Sequence, residues 1–138
     1  MRLYLDASAL VKLLIREPAT EQVERLWEGA REIVSSAILY PEARAALAAA
    51  NRARRLSRRG LGDARAALDL RWRFVYPAAV DDEVAVSAGQ LSEALSLRAL
   101  DAIHLATAVA LATDELVVAT WDTRLATAAR RAGLAVAP

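Results

Sequence analysis

The chain has 138 residues, a formal net charge of +1 and a hydrophobic content of 56%. This length fits one domain with a single substantial core, and the hydrophobic content argues against a disordered chain. The absence of cysteine excludes a disulfide framework, a thiolate metal site and a cysteine nucleophile, and the small net charge gives no overall sign of a nucleic-acid or membrane binder.

Charged residues interrupt the apolar stretches of the chain. Asp6 and Lys12 break the N-terminal run that a secretory signal peptide would need. No uncharged stretch reaches the roughly 18 residues of a membrane-spanning helix. We therefore expect one cytoplasmic domain over residues 1–138, with no membrane partner.

Short apolar runs alternate with longer helical patterns along the whole chain. In chain order, the predicted elements are a strand over 3–5, a helix from about 9, a helix over 21–28, a strand over 32–35, helices over 38–56 and 63–73, a strand over 74–78, helices over 81–96 and 100–112, a strand over 116–120, a helix over 123–132 and an edge strand over 134–136. Thr20 is expected to be an N-cap, and Gly60 with Gly62 to end the long helix. The alternation predicts an α/β fold, a three-layer α/β/α sandwich around a mostly parallel sheet of four to five strands.

Four acidic residues stand at predicted strand ends or in first turns of helices. Asp6 directly follows the first strand and Asp122 follows the fourth, at the edge where parallel α/β sheets bind ligands. Glu42 lies one turn into the long helix, beside its apolar stripe, and Asp101 opens an almost wholly apolar helix. Each residue alone could be a turn residue or a helix cap, so only the set indicates a site.

Carboxylates that converge in this way need neutralisation. Two of them about 5 Å apart repel by roughly 3 kcal/mol at an effective dielectric constant near 20. Lys12 and Arg124 are possible basic partners, but a divalent cation is favoured, because Mg²⁺ and Mn²⁺ prefer oxygen ligands. The candidate ligands of this cation are Asp6, Glu42, Asp101 and Asp122.

Four segments in order, LDASALVKLL, LYPEARAAL, LDAIHLATA and VVATWDTRLATAA, together resemble the PIN-domain ribonucleases, especially the VapC-type toxins of toxin–antitoxin pairs. The resemblance implies a PIN-like α/β/α fold, Mg²⁺- or Mn²⁺-dependent hydrolysis of RNA phosphodiester bonds, a cognate antitoxin and a homodimer. It assigns catalytic and metal-binding roles to Asp6, Glu42, Asp101 and Asp122. It gives the hydroxyls of Ser8 and Thr120 a supporting role.

Three further features leave alternatives open. His104, the only histidine, lies three residues after Asp101 on the same helical face, and a core or supporting role is favoured over metal or acid–base chemistry. Trp121 is bulkier than expected beside Asp122 and could narrow the site or contact a base or partner. Five arginines form either a solvated helix end or a surface for RNA phosphates or an acidic antitoxin segment: Arg52, Arg54, Arg55, Arg58 and Arg59.

Two other classes of function are considered. A phospho-acceptor receiver is also a small parallel α/β domain, but it needs a paired acid after the first strand and a lysine after the last. Here Ala7 follows Asp6, and no lysine lies beyond Lys12. The remaining alternative to a metal-dependent endoribonuclease is a PIN-like module that binds RNA or protein without turnover.

Overall fold

The computed structural model describes all residues, Met1–Pro138, and contains five strands and seven helices. Most elements begin or end within two residues of the sequence prediction. In chain order they are β1 (Arg2–Leu5), α1 (Ala7–Lys12), α2 (Thr20–Gly29), β2 (Glu32–Ser36), α3 (Leu39–Arg52), α4 (Arg58–Trp72), β3 (Val75–Ala78), α5 (Asp82–Leu95), α6 (Ala99–Ala110), β4 (Leu116–Ala119), α7 (Thr123–Arg131) and β5 (Ala135–Ala137).

All five strands are parallel and form one sheet in the order β3-β2-β1-β4-β5. The central strand β1 is fully buried over Leu3, Tyr4 and Leu5. From β1 the chain builds outward to β2 and β3 on one side, and later to β4 and β5 on the other. The order therefore reverses between β1 and β4, and such a switch point opens a crevice at the carboxyl ends of the two strands.

Helices cover both faces of the sheet. Because side chains alternate along a strand, Leu3 and Leu5 pack with residues of α1 to α4, whereas Tyr4 packs with Ala108 of α6 on the opposite face. Helices α5, α6 and α7 share a further cluster that includes Leu105 and Leu125. This arrangement confirms the predicted three-layer α/β/α fold with a parallel sheet.

The prediction for Gly60 and Gly62 is wrong, because both lie inside α4. Helix α3 ends at Arg52, and Arg54 follows in the left-handed region with a φ of 59°. Ser57 then starts α4 by accepting a 3.0 Å hydrogen bond from the Gly60 N–H. A serine N-cap satisfies an orphan helix amide, and here it decides the boundary over the glycines' low helix propensity.

The expectation that Thr20 caps α2 is also wrong. Thr20 is the first residue of the helix, and the preceding Ala19 occupies the N-cap position with a φ of 72°. The Thr20 hydroxyl donates to the Lys12 carbonyl at 2.8 Å and accepts from the Glu17 N–H at 3.0 Å. It therefore satisfies backbone groups of the α1–α2 connection instead of the helix amides.

None of the helices combines the length and apolar character needed to span a membrane.

Candidate active site

The switch point between β1 and β4 carries acidic residues on both sides. Asp6 follows β1 and Asp122 lies just after β4, and these neighbouring strands end together with Leu5 paired to Ala119. Glu42 and Asp101 lie in the first turns of α3 and α6. The topology thus brings all four sequence-predicted acids toward one edge of the sheet.

Asp101 shows that these carboxylates share one electrostatic environment. Burial raises the pKa of the Asp101 carboxyl, and the negative charge of Asp122 raises this pKa further. The charges of Asp6 and Glu42 act in the same direction, whereas His104 opposes them. An acid whose pKa responds to three other acids lies within interaction range of all of them.

Asp6 is almost fully buried, with 4% of its surface exposed. Its Oδ1 accepts from the Ala9 N–H at 2.9 Å, so Asp6 is also the N-cap of α1. Ser8 Oγ lies 2.8 and 2.9 Å from the two carboxylate oxygens, and Thr120 Oγ1 donates to Oδ2 at 2.6 Å. Burial raises the pKa of the Asp6 carboxyl, and the hydrogen bonds from Thr120, Ala9 and Ser8 partly offset this rise.

The two hydroxyls are themselves oriented by the backbone after β4. The Trp121 N–H donates to Ser8 Oγ at 2.8 Å, and the Asp122 N–H donates to Thr120 Oγ1 at 3.1 Å. Each hydroxyl has one proton to give, so Asp6 receives three hydrogen bonds in total. A carboxylate has about four acceptor positions, and one remains for a cation. This geometry suits the supporting role predicted for Ser8 and Thr120.

Asp122 combines a structural and a candidate chemical role. Its Oδ1 accepts from the backbone N–H groups of Arg124 at 2.8 Å and Leu125 at 2.9 Å, which makes it the N-cap of α7. Its Oδ2 has no hydrogen-bond partner within the chain. The helix-cap and site explanations of Asp122 are therefore compatible, because they use different oxygens.

Glu42 is held by His104, a contact that the sequence pattern did not reveal. His104 Nε2 lies 2.6 Å from Glu42 Oε1, and His104 Nδ1 lies 2.9 Å from the Tyr4 hydroxyl. Burial raises the pKa of the Tyr4 phenol above its ordinary value, so the phenol keeps its proton. The sequence did not indicate Tyr4 as a site residue, because an aromatic residue within a buried strand is typical of the core. The sequence signal that could have indicated it is the position of its hydroxyl-bearing side chain two residues before Asp6.

The donor set fits a hard divalent cation. All four acids offer oxygen ligands, and Asp6, Asp101 and Asp122 form no ion pair with any lysine or arginine. Negative charge at the switch point is therefore incompletely neutralised by the chain. No three of the acidic and imidazole side chains are already gathered in ligand geometry, so binding would draw the carboxylates closer together.

A line of contacts connects the rim of this site with the arginine-rich turn between α3 and α4. Lys12 Nζ lies 5.9 Å from the centroid of the Trp121 ring and 3.2 Å from Glu17 Oε2. Glu17 Oε1 in turn lies 3.5 Å from Arg55 Nη1. Arg55 therefore has an acidic partner. The other members of the predicted cluster form no ion pair within the chain: Arg52, Arg54, Arg58 and Arg59.

A five-stranded parallel α/β/α sandwich with four acids around the switch point of its sheet is the class of domain that the fold and site define, and comparison with known proteins identifies its family. The family model for the PIN domain matches residues 3–131. The chain therefore belongs to the PIN-domain family, which confirms the resemblance carried by its four segments.

Three curated relatives that match nearly the whole chain are named VapC ribonucleases. The chain is 45% identical over 135 residues to ribonuclease VapC49 of Mycobacterium tuberculosis strain H37Rv, and this match covers 98% of this chain and 94% of that protein. Ribonuclease VapC45 of strain CDC 1551 matches equally well. Ribonuclease VapC46 of strain H37Rv is 42% identical and covers 97% of this chain and 95% of that protein.

Solved structures share the fold at lower sequence identity. FitAcB from Neisseria gonorrhoeae aligns with a TM-score of 0.73 and 22% identity, over 99% of this chain and 96% of that chain. VapBC2 from Rickettsia felis, bound to a DNA fragment from its promoter, aligns with a TM-score of 0.67 and 15% identity, over 99% and 98%. VapC20 from Mycobacterium tuberculosis, a sarcin–ricin loop cleaving toxin, aligns with a TM-score of 0.66 and 18% identity, over 91% and 94%.

Proposed function

We propose that this protein is an endoribonuclease that hydrolyses RNA phosphodiester bonds with Mg²⁺ or Mn²⁺, and that it is the toxin of a toxin–antitoxin pair. The observation that carries the proposal is the placement of four acids around the switch point of the sheet, where burial first, and then the charges of the other three acids, raise the pKa of Asp101. The curated relatives that match nearly the whole chain are named ribonucleases, which supports the same reaction. We also propose that the protein acts in the cytoplasm, where its RNA substrate would be found.

The metal ion would be held by carboxylate oxygens of Asp6, Glu42, Asp101 and Asp122. When bound, a divalent cation would lower the pKa of a water molecule and offset charge on the scissile phosphate. The residues themselves would do the positioning. Ser8 and Thr120 keep the Asp6 carboxylate in one orientation, and the α7 amides do the same for Asp122.

Glu42 and Asp101 are the candidates for orienting the attacking water. Asp101 is only partly buried, and burial together with the charge of Asp122 raises its pKa, which makes its carboxylate a stronger proton acceptor than a free aspartate. Glu42 already accepts a hydrogen bond from His104 through Oε1, and its Oε2 has no partner in the chain. Asp101 would therefore accept the proton of the water, and Glu42 would orient the water.

Cleavage of RNA by the purified protein tests the reaction. We expect fragments in the presence of Mg²⁺ or Mn²⁺, none after addition of EDTA, and none from Asp6→Asn when its circular dichroism shows an intact fold. If Asp6→Asn cleaved RNA as fast as the wild type, the assignment of this site would be wrong. Tight binding of varied RNAs in Mg²⁺ without any product would instead favour the alternative of a binding module.

A cognate antitoxin and a homodimer are further parts of the proposal. The solved neighbour from Rickettsia felis is a VapBC assembly, which supports an antitoxin partner for this fold. Five arginines lie in the α3–α4 turn or in the helix ends beside it, and they would bind either RNA phosphates or an acidic antitoxin segment. They are Arg52, Arg54, Arg58 and Arg59, which have no ion pair, and Arg55, which is paired with Glu17. Growth arrest on expression, relieved by co-expressing a small antitoxin-like protein if one is encoded just upstream of this gene, would support the partner. Light scattering of the purified protein would report the dimer.

A further inference from the structure

A chain of buried polar contacts links the core of the sheet to Glu42. The Tyr4 hydroxyl of β1 contacts Nδ1 of His104 on α6, and His104 Nε2 contacts Oε1 of Glu42 on α3. Tyr4 is fully buried and His104 is 2% exposed, whereas the Glu42 side chain is 17% exposed. This series of contacts therefore runs from the buried interior toward a partly exposed carboxylate at the edge of the site.

The direction of the hydrogen bonds follows from the groups involved. A protonated Tyr4 phenol can donate to Nδ1, which leaves the proton of a neutral His104 ring on Nε2 to be donated to Glu42. A protonated ring would also donate from Nε2. In both states Glu42 Oε1 accepts a hydrogen bond, so the link does not depend on the charge of His104.

The contact limits how Glu42 can act. A glutamate side chain in a first helical turn has several accessible rotamers, and fixing one of them costs conformational entropy when a ligand binds. Here His104 engages Oε1 in advance and leaves Oε2 without a partner. Because His104 lies one turn after Asp101 on α6, the same helix carries one acid and positions another.

We propose that His104 is a positioning residue that holds Glu42 by Oε1, with Tyr4 orienting the imidazole, so that Oε2 is presented to the divalent cation of the site. This inference rests on the proposed function, since it concerns a cation bound by the same acids. Partners of metal-binding side chains have this effect in general, and their loss typically costs about 10- to 100-fold in metal affinity or activity.

The affinity for Mn²⁺, measured by calorimetry or electron paramagnetic resonance without RNA, tests the role of His104. His104→Leu removes the donor, and we expect Mn²⁺ to bind about 10- to 100-fold more weakly. His104→Gln places an amide N–H near the position of Nε2, and we expect it to restore most of the lost affinity. Tyr4→Phe deletes a single hydroxyl and should give a smaller loss in the same direction.

A double-mutant cycle separates positioning from general structural damage. If His104 acts through Glu42, then His104→Leu should cause no further loss of Mn²⁺ affinity in a Glu42→Gln background. Additive losses would show that His104 acts through the fold and would overturn the inference. The matched control is Leu105→Val, which alters the next residue of α6 in the core cluster facing α5 and α7 and should leave the Mn²⁺ affinity unchanged.

The outcomes distinguish this inference from the proposed function. If the wild type binds Mn²⁺ and cuts RNA, and both His104→Leu and Tyr4→Phe leave the affinity unchanged, the positioning role is wrong and the ribonuclease stands. If the wild type neither binds Mn²⁺ nor cuts RNA, the proposed function fails and the positioning role fails with it. Should His104→Leu not fold, Tyr4→Phe combined with Glu42→Gln provides the same cycle, because Tyr4→Phe is expected to lower the Mn²⁺ affinity through the same contacts.

Discussion

Thr120 and Asp6 are joined across the gap between β1 and β4 by a 2.6 Å hydrogen bond from Thr120 Oγ1 to Asp6 Oδ2. Both residues are buried, and they are separated by more than a hundred positions in the chain. The contact fixes the orientation of the most buried acid at the switch point and partly offsets the rise in its pKa caused by burial.

Thr120→Val should therefore weaken both the fold and the site. The substitution keeps the side-chain volume but removes one of the hydrogen-bond donors of a buried carboxylate, which typically costs about 1–3 kcal/mol of unfolding free energy. Thr120→Ser keeps the hydroxyl and should stay close to the wild type in both properties. Urea unfolding and RNA cleavage measure the two effects, and equal stability of the Val and Ser variants would contradict the importance of this hydrogen bond.

The stability of the metal-free protein should depend on pH through Asp101. Its pKa is raised in the folded state, so folding takes up a proton between the unfolded and folded pKa values. The stabilising contribution of the protonated group is fully present below the unfolded pKa of 3.8 and is lost as the pH rises through the folded pKa. Asp101→Asn removes the charge, so near neutral pH this variant should be more stable than the wild type.

The measurement is urea unfolding in EDTA at several pH values, comparing wild type with Asp101→Asn. The stability gain of the variant should shrink as the pH falls toward 4. Asp114→Asn, which changes an exposed acid in the loop before β4, is the control and should show no such trend. A gain for Asp101→Asn that grows toward low pH would reverse the predicted sign.

Binding of Mn²⁺ should raise the melting temperature of the wild type. A ligand that binds only the folded state at 100 times its Kd stabilises that state by about 2.7 kcal/mol. Asp6→Asn and Asp122→Asn should each lose most of this increase, because each removes a charged ligand. Differential scanning fluorimetry with Mn²⁺, and then with excess EDTA, measures the effect. An undiminished increase in both variants would place the cation elsewhere.

The arginines in and beside the α3–α4 turn should contribute to RNA affinity through phosphate contacts. In an Asp6→Asn background that prevents cleavage, Arg54→Gln with Arg58→Gln should weaken binding at low salt. Each lost phosphate contact should also reduce the slope of log K against log salt concentration by about 0.7 for single-stranded RNA.

The control of equal charge for this surface is Arg31→Gln with Arg73→Gln, in which Arg31 also loses its exposed ion pair with Glu115. These two exposed arginines lie just before β2 and β3, at the opposite edge of the sheet from the acids. The control removes the same charge and should leave the salt dependence nearly unchanged. Equal losses for both pairs would show that only net charge matters. In that case the α3–α4 turn would have no special role in RNA binding, and binding of the antitoxin by the same variants would become the decisive measurement.

The fold was predictable because its signals are local. Short buried runs such as residues 3–5 and 116–119 lack the periodicity of a surface helix, and parallel strands bury both faces. The two boundary errors arose where one local preference outweighed another. Ser57 caps a helix that contains Gly60, and the Thr20 hydroxyl donates to Lys12 at the end of α1 instead of capping its own helix.

The sequence by itself determined the family and the parallel α/β architecture, and it proposed the four candidate acids, because residue type, order and spacing are properties of the chain alone. Only the tertiary structure decided which groups surround those acids. The hydrogen bond from Thr120 to Asp6 joins residues that are 114 positions apart, and the contact of His104 with Glu42 joins residues that are 62 positions apart. Such contacts depend on how strands and helices pack, and a buried hydroxyl or imidazole looks the same in sequence whether it orients a carboxylate or fills the core.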